Sequence, residues 1–124
     1  MTIRGVRGAT TIESDTKDNI LGATDELLKA ILSANPDLQT VDIASVLFTV
    51  TEDIASAYPA LAARRMGWDQ VPMMCAQEIP TTGSLPLCIR VLIHWNTNKA
   101  QNEIRHVYLR NAVKLRPDLV SAQG

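Results

Sequence analysis

Aromatic residues are scarce in this chain, five among 124, which removes the stacking platforms that a single-stranded nucleic-acid surface needs. Cysteine is scarcer still. Cys75 and Cys88 sit inside apolar runs without metal-type spacing, so two buried thiols are expected rather than a disulfide or a zinc site. The chain has two histidines, His94 and His106, and no glycine-rich phosphate loop, internal repeat or low-complexity tract. No apolar run is long enough to span a bilayer, and the opening residues, with Arg4, Gly5 and Arg7 spaced through them, lack the apolar centre of a signal peptide. A cytoplasmic protein is expected, with residues 1–124 forming one domain large enough for a real core.

What charge there is falls unevenly. Residues 1–62 hold nine acids against four bases, and residues 63–124 hold four acids against eight bases, although the formal net charge is only −1. Eight of the twelve bases are arginine, whose planar fork grips carboxylate or phosphate in two places at once. The bases form no dense stripe. A small anionic ligand therefore fits better than nucleic acid.

Hydrophobic spacing divides the chain into strands and helices. Thr2 to Ile12 reads as a first strand, where Gly5 and Gly8 mark positions that another backbone or a ligand approaches closely. Asp15 or Thr16 can cap a helix running to about Ala34, which Asn35-Pro36 ends. Val41 to Thr51 reads as a second strand, and Glu52 or Asp53 is expected to open a shorter helical segment that runs to Met66, is regular from Pro59 and is closed by Gly67. Asp69 to Cys75 reads as a third strand, Leu87 to Asn96 as a fourth, and Ile104 to Leu109 as a short last one. On the fourth strand Cys88, Arg90, Leu92 and His94 share one face, while Leu87, Ile89, Val91 and Ile93 share the other. Both faces are largely apolar, as on a central strand covered on both sides.

Arg90 stands out on that strand. A guanidinium in an apolar setting needs an anion, and Glu78 is the nearest carboxylate in sequence, brought back by the loop of residues 79–86. A structural salt bridge and a ligand-binding arginine both satisfy this pattern. Arg4 and Arg7 have opposite parity on the first strand, so at most one of them can share a site with Arg90. His94, near a strand end, reads as a hydrogen-bonded structural residue rather than a base.

Four segments, in order, carry a family resemblance: Arg4-Gly5-Val6-Arg7-Gly8-Ala9-Thr10-Thr11; Val71-Pro72 through Glu78; Cys88-Ile89-Arg90-Val91; and Ile104-Arg105-His106-Val107-Tyr108-Leu109 with Leu115-Arg116-Pro117-Asp118-Leu119. Together, over essentially the whole chain, they resemble the small trimeric bacterial chorismate mutases. The resemblance implies an α+β fold with a mixed sheet and two main helices, three copies forming a pseudo α/β-barrel with active sites at the subunit interfaces. It implies the isomerisation of chorismate to prephenate, a [3,3] rearrangement on the way to phenylalanine and tyrosine, with no cofactor, no metal and neither nucleic acid nor membrane as partner. By position, Arg90 resembles the residue that contacts the ether oxygen and a carboxylate, and Arg7 the one that grips a carboxylate beside Tyr108. Glu78 and Cys75 match the groups that hydrogen-bond the ring hydroxyl, Tyr58 an aromatic wall, and Arg64 an arginine at the entrance. Met73 and Met74 are expected among the substrate-binding residues, with Leu115 and Arg116 closing over the site. Leu61 departs from the pattern, in which a lysine is expected. Two other readings use the same arginines: a trimeric imine or enamine hydrolase, and a non-catalytic trimer that binds a dicarboxylate.

Overall fold

Strand β1 (Ile3–Thr11) runs through a short polar connection into helix α1 (Lys17–Ala34) in the computed structural model, which describes residues 2–115. Thr16 is the N-cap: its Oγ1 accepts the Asn19 N–H at 3.1 Å, and Asp18 lies in the positive first turn. A stripe of Ile20, Leu21, Leu27, Leu28 and Ile31 faces inward. Asn35 ends the helix and anchors it to a distant segment. Its Nδ2 donates to the carbonyls of Ile31 and Arg105, both at 2.9 Å, and its Oδ1 accepts the Arg105 N–H at 3.0 Å.

Strand β2 (Ile43–Val50) begins two residues later than the sequence suggests, because Thr40–Asp42 form a 3-10 turn that leaves Val41 in solvent. Helix α2 (Ala60–Arg65) starts behind Pro59 and ends at Gly67, whose φ of +93° is free only to glycine. Strand β3 (Met73–Gln77) is displaced from the expected 69–75. Trp68 and Val71 bury their side chains from a turn, not from a strand, and Pro72 has no N–H for a ladder. Strand β4 (Cys88–Asn96) falls as expected, and β5 shrinks to Val107–Tyr108 before a 3-10 turn at Arg110–Lys114.

The five strands form one mixed sheet in the order β3-β2-β4-β1-β5. Pairings β1–β4 and β2–β4 are antiparallel, while β1–β5 and β2–β3 are parallel. The parallel β2–β3 pair needs a crossover, which α2 supplies. The fold is therefore α+β, with a mixed sheet and two helices as expected.

Alternation along β4 divides the sheet. Ile89, Val91, Ile93 and Trp95 point into a core that includes Val6, Leu27, Ile31 and Phe48. At Gly8 the helix side chains come closest, leaving no room for a Cβ. On the other face Arg90, Leu92 and His94 are only half-buried, with Leu47 beside them. The strand is central as expected, but on this second face Tyr108 and Ala112 cover Cys88 alone, and among the described residues the rest of that face is left partly open.

Candidate active site

The partly open face carries a cleft of about 400 Å³, lined in part by Arg7, Leu47, Thr49, Arg90, Tyr108 and Leu115. That volume suits a small ligand. Each side chain arrives by strand geometry. Arg90 lies opposite Ala9 on β1 and Thr49 on β2, and Tyr108 on β5 lies opposite Ala9 from the other side.

Arg90 and Glu78 meet, as the apolar setting of the arginine requires. Arg90 Nε stands 3.1 Å from Glu78 Oε2, yet its N–H makes no aligned hydrogen bond. The contact is an ion pair rather than a fork on a fork, and it leaves guanidinium donors uncommitted. Glu78 is the first residue after β3. Its N–H donates to the Val50 carbonyl at 2.8 Å, and the Thr49 hydroxyl donates to Oε2 at 2.8 Å.

Two further groups in the cleft are unspent. Among the described residues the Arg7 guanidinium has no hydrogen-bond or ion-pair partner, although its backbone N–H donates to His106 Nδ1 at 3.0 Å. Tyr108 is buried against Ala9, Cys88 and Ala112, and its Oη has no partner there. A buried hydroxyl without a partner carries a cost that a ligand can relieve. Arg4 is occupied elsewhere, its Nε donating to the Lys99 carbonyl at 2.8 Å, so only Arg7 joins Arg90. His94 is held by Ser45, with Nδ1 and Oγ 2.9 Å apart. Burial pushes the Cys88 thiol up, and the Arg90 cation beside it offsets part of that rise.

Of the remaining expected residues, only Cys75 and Tyr58 come together, and they do so in a different place. Cys75 pairs with Phe48 in the β2–β3 register and packs against the helix-covered core, on the opposite face of the sheet from Arg90. Met73 shares that face, while Met74 is exposed on the other. Cys75 and Tyr58 line a second cleft of about 490 Å³ with Lys17 and Leu61. Lys17 is its one charged side chain among the described residues. Arg64 is exposed on α2 and lines neither cleft. Arg116 lies outside the described residues. Sequence reasoning overlooked Leu47, Leu92 and Thr49; the parity they share with Arg90 across the register is the signal that finds them.

The sequence matches the family described as chorismate mutase type I over residues 3–119. It is 55% identical over 121 residues to the chorismate mutase AroH of Thermus thermophilus, covering 98% of this chain and 99% of that protein. Against the chorismate mutase AroH of Bacillus subtilis it is 46% identical over 120 residues, covering 96% and 94%. A solved chorismate mutase from Clostridium thermocellum superposes with a TM-score of 0.84 at 48% identity, covering 87% of this chain and 96% of that one.

Proposed function

This chain belongs to the chorismate mutase type I family and isomerises chorismate to prephenate, and we propose that it does so in the Arg7–Arg90–Tyr108 cleft once a second copy has closed it. The opposed placement of Arg90 and Cys75 carries this reading. They project from opposite faces of one sheet, so a site that uses both draws them from two subunits. Half-exposed Leu47 and Leu92 then gain cover, and water leaves the cleft. Each interface of a cyclic homotrimer holds one such site, and cytoplasmic localisation fits a biosynthetic isomerase.

The chemistry needs no more than these residue types. A [3,3] rearrangement within one molecule transfers no proton and uses no nucleophile. The protein has to hold the folded conformer and meet charge on the ether oxygen as the C–O bond breaks. Arg7, and Arg116 beyond the described residues, grip carboxylates present in substrate and transition state alike, so they contribute mostly to binding. Arg90 aims its uncommitted donors at the oxygen whose charge grows. Glu78 and Cys75 fix the ring hydroxyl, with Tyr58, Met73, Met74 and Leu115 as walls and Arg64 at the entrance. A rate gain of ~10⁶ corresponds to about 8 kcal/mol. One well-aimed donor in a dry site supplies about 3–4 kcal/mol, and preorganisation supplies the rest.

Two inactive parents test the shared site. Arg90→Ala removes one face and Cys75→Phe blocks the other; unfolding and refolding an equal mixture restores about a quarter of the sites in random cyclic trimers. Loss of the chorismate diene absorbance reads the activity, and native mass spectrometry confirms the hybrids. Hybrid trimers as inactive as their parents would mean that both residues serve from one subunit, and the assignment would be abandoned.

A further inference from the structure

Thr49 has no part in the chemistry described so far, yet it holds a decisive position. It faces Arg90 in antiparallel register, and its hydroxyl donates to Glu78 Oε2 at 2.8 Å. Arg90 Nε stands 3.1 Å from the same oxygen. Both contacts fall on Oε2, and among the described residues Oε1 makes none.

Glu78 opens the exposed loop of residues 79–86, so beyond its own N–H bond to Val50 little of its backbone is held. Its side chain has several rotamers. With Arg90 as its only polar contact, the carboxylate would settle into the two-point pairing that guanidinium and carboxylate prefer. That pairing would consume Arg90 donors and Oε1 together, the groups that the substrate needs. The unaligned Nε–H marks a pair kept short of that arrangement.

We propose that Thr49 is a positioning residue: its hydroxyl fixes Oε2 so that Glu78 meets Arg90 at one point, leaving Oε1 and the Arg90 terminal nitrogens for substrate. The inference rests on the assignment of Glu78 and Arg90 to the active site. It predicts that the hydroxyl, not the bulk, of residue 49 sets kcat.

Two pairs of variants isolate the hydroxyl. Thr49→Val keeps the branched shape and loses the donor, while Thr49→Ser and Thr49→Ala differ only in the oxygen. Thr49→Val is expected to lower kcat roughly tenfold or more with a smaller change in KM, a loss in the range of a hydrogen bond to a charged group. Thr49→Ser should stay within about threefold of the parent, and Thr49→Ala should fall with Thr49→Val. In a Glu78→Ala background Thr49→Val should cost nothing further, because the two changes then act through one group. Should Thr49→Val fail to assemble, the serine–alanine pair decides. Equal losses for serine and alanine would show that packing matters and overturn the proposal, as would a full Thr49→Val penalty on top of Glu78→Ala. A Thr49→Val enzyme with parental kcat beside a crippled Glu78→Ala enzyme would overturn Thr49 alone. Parental kcat in Glu78→Ala would overturn the site assignment itself, and this inference with it.

Discussion

Replacing Gly8 by alanine places a methyl group where α1 already stands. The added Cβ would lie 2.7 Å from Ile31 Cδ1, 3.1 Å from Val91 Cγ1 and 3.2 Å from Leu27 Cδ1. Carbon atoms in contact sit about 3.5–4.0 Å apart, so Ile31 has to yield by roughly 1 Å within a core that exposes none of it. Overpacking of this kind costs about 1–3 kcal/mol, and the stiffer unfolded chain returns about 0.4–1 kcal/mol. The net loss is about 1–2 kcal/mol. For a chain of this length that lowers Tm by roughly 3–10 °C, measured at fixed protomer concentration. Ile31→Val deletes the crowded Cδ1. Alone it costs about 0.5–1.5 kcal/mol, but in the Gly8→Ala background it should cost little or stabilise, giving a coupling of about 1 kcal/mol. Calorimetry on the four proteins measures that coupling. Strict additivity would mean that α1 shifts as a body instead of repacking at Ile31, and the steric account of Gly8 would be wrong. Arg7 and Ala9 flank the site on the cleft face, so the double variant should also regain parental kcat.

Arg90→Lys keeps the charge but not the fork, so kcat should fall by about 10² or more, close to the loss in Arg90→Ala; steady-state kinetics on folded protein checks this, and a lysine variant with most of its kcat would remove Arg90 from its role. No proton moves in the rearrangement, so kcat should show no histidine-like limb between about pH 6 and 8. His94→Gln and His106→Gln should leave that flat profile intact; His106→Gln replaces the imidazole acceptor of the Arg7 N–H by an amide oxygen and should act through stability or KM. Asp15 supplies a pH-dependent tie between the start of α1 and the segment that carries Tyr58. Desolvation works to raise its pKa, but the N–H donors of Ala55 and Ser56 prevail and hold the carboxyl below its ordinary value. Stability from this group is therefore present above the ordinary carboxylate range and is lost as pH falls through the depressed value. Asp15→Ala should lower Tm at neutral pH, with the gap to the parent narrowing in thermal melts taken below about pH 4.

Helix α1 was readable because its apolar stripe has one period from Ile20 to Ile31 and its ends carry Thr16 and Asn35-Pro36. The Arg90–Glu78 pair was readable for a different reason: an arginine in an apolar strand has few ways to be tolerated. Strand β3 was misplaced because apolar residues look alike whether a turn or a strand buries them, and Trp68 and Val71 are buried from a turn. Sheet order does not follow from periodicity, so nothing along the chain says that β4 lies between β1 and β2. Without that register, Cys75 cannot be given a face and Thr49 is one more threonine in a strand.

The placement of β1 also bears on how the chain is made. Its two sheet neighbours are β4 and β5, and the bonds that tie it to the last segment, Arg7 to His106 and Asn111 to Thr11, span 99 and 100 residues. At ribosomal rates of roughly 5–20 residues per second, β1 waits on the order of 5–20 s for its partners. Of the five strands it is made first and pairs late, with both edges open in the meantime. Open edges recruit other nascent strands, and charged side chains discourage them. Arg4 and Arg7 are two such charges on β1, so the guanidinium to which we assign a substrate carboxylate is also one that the unfinished strand presents while its edges are open.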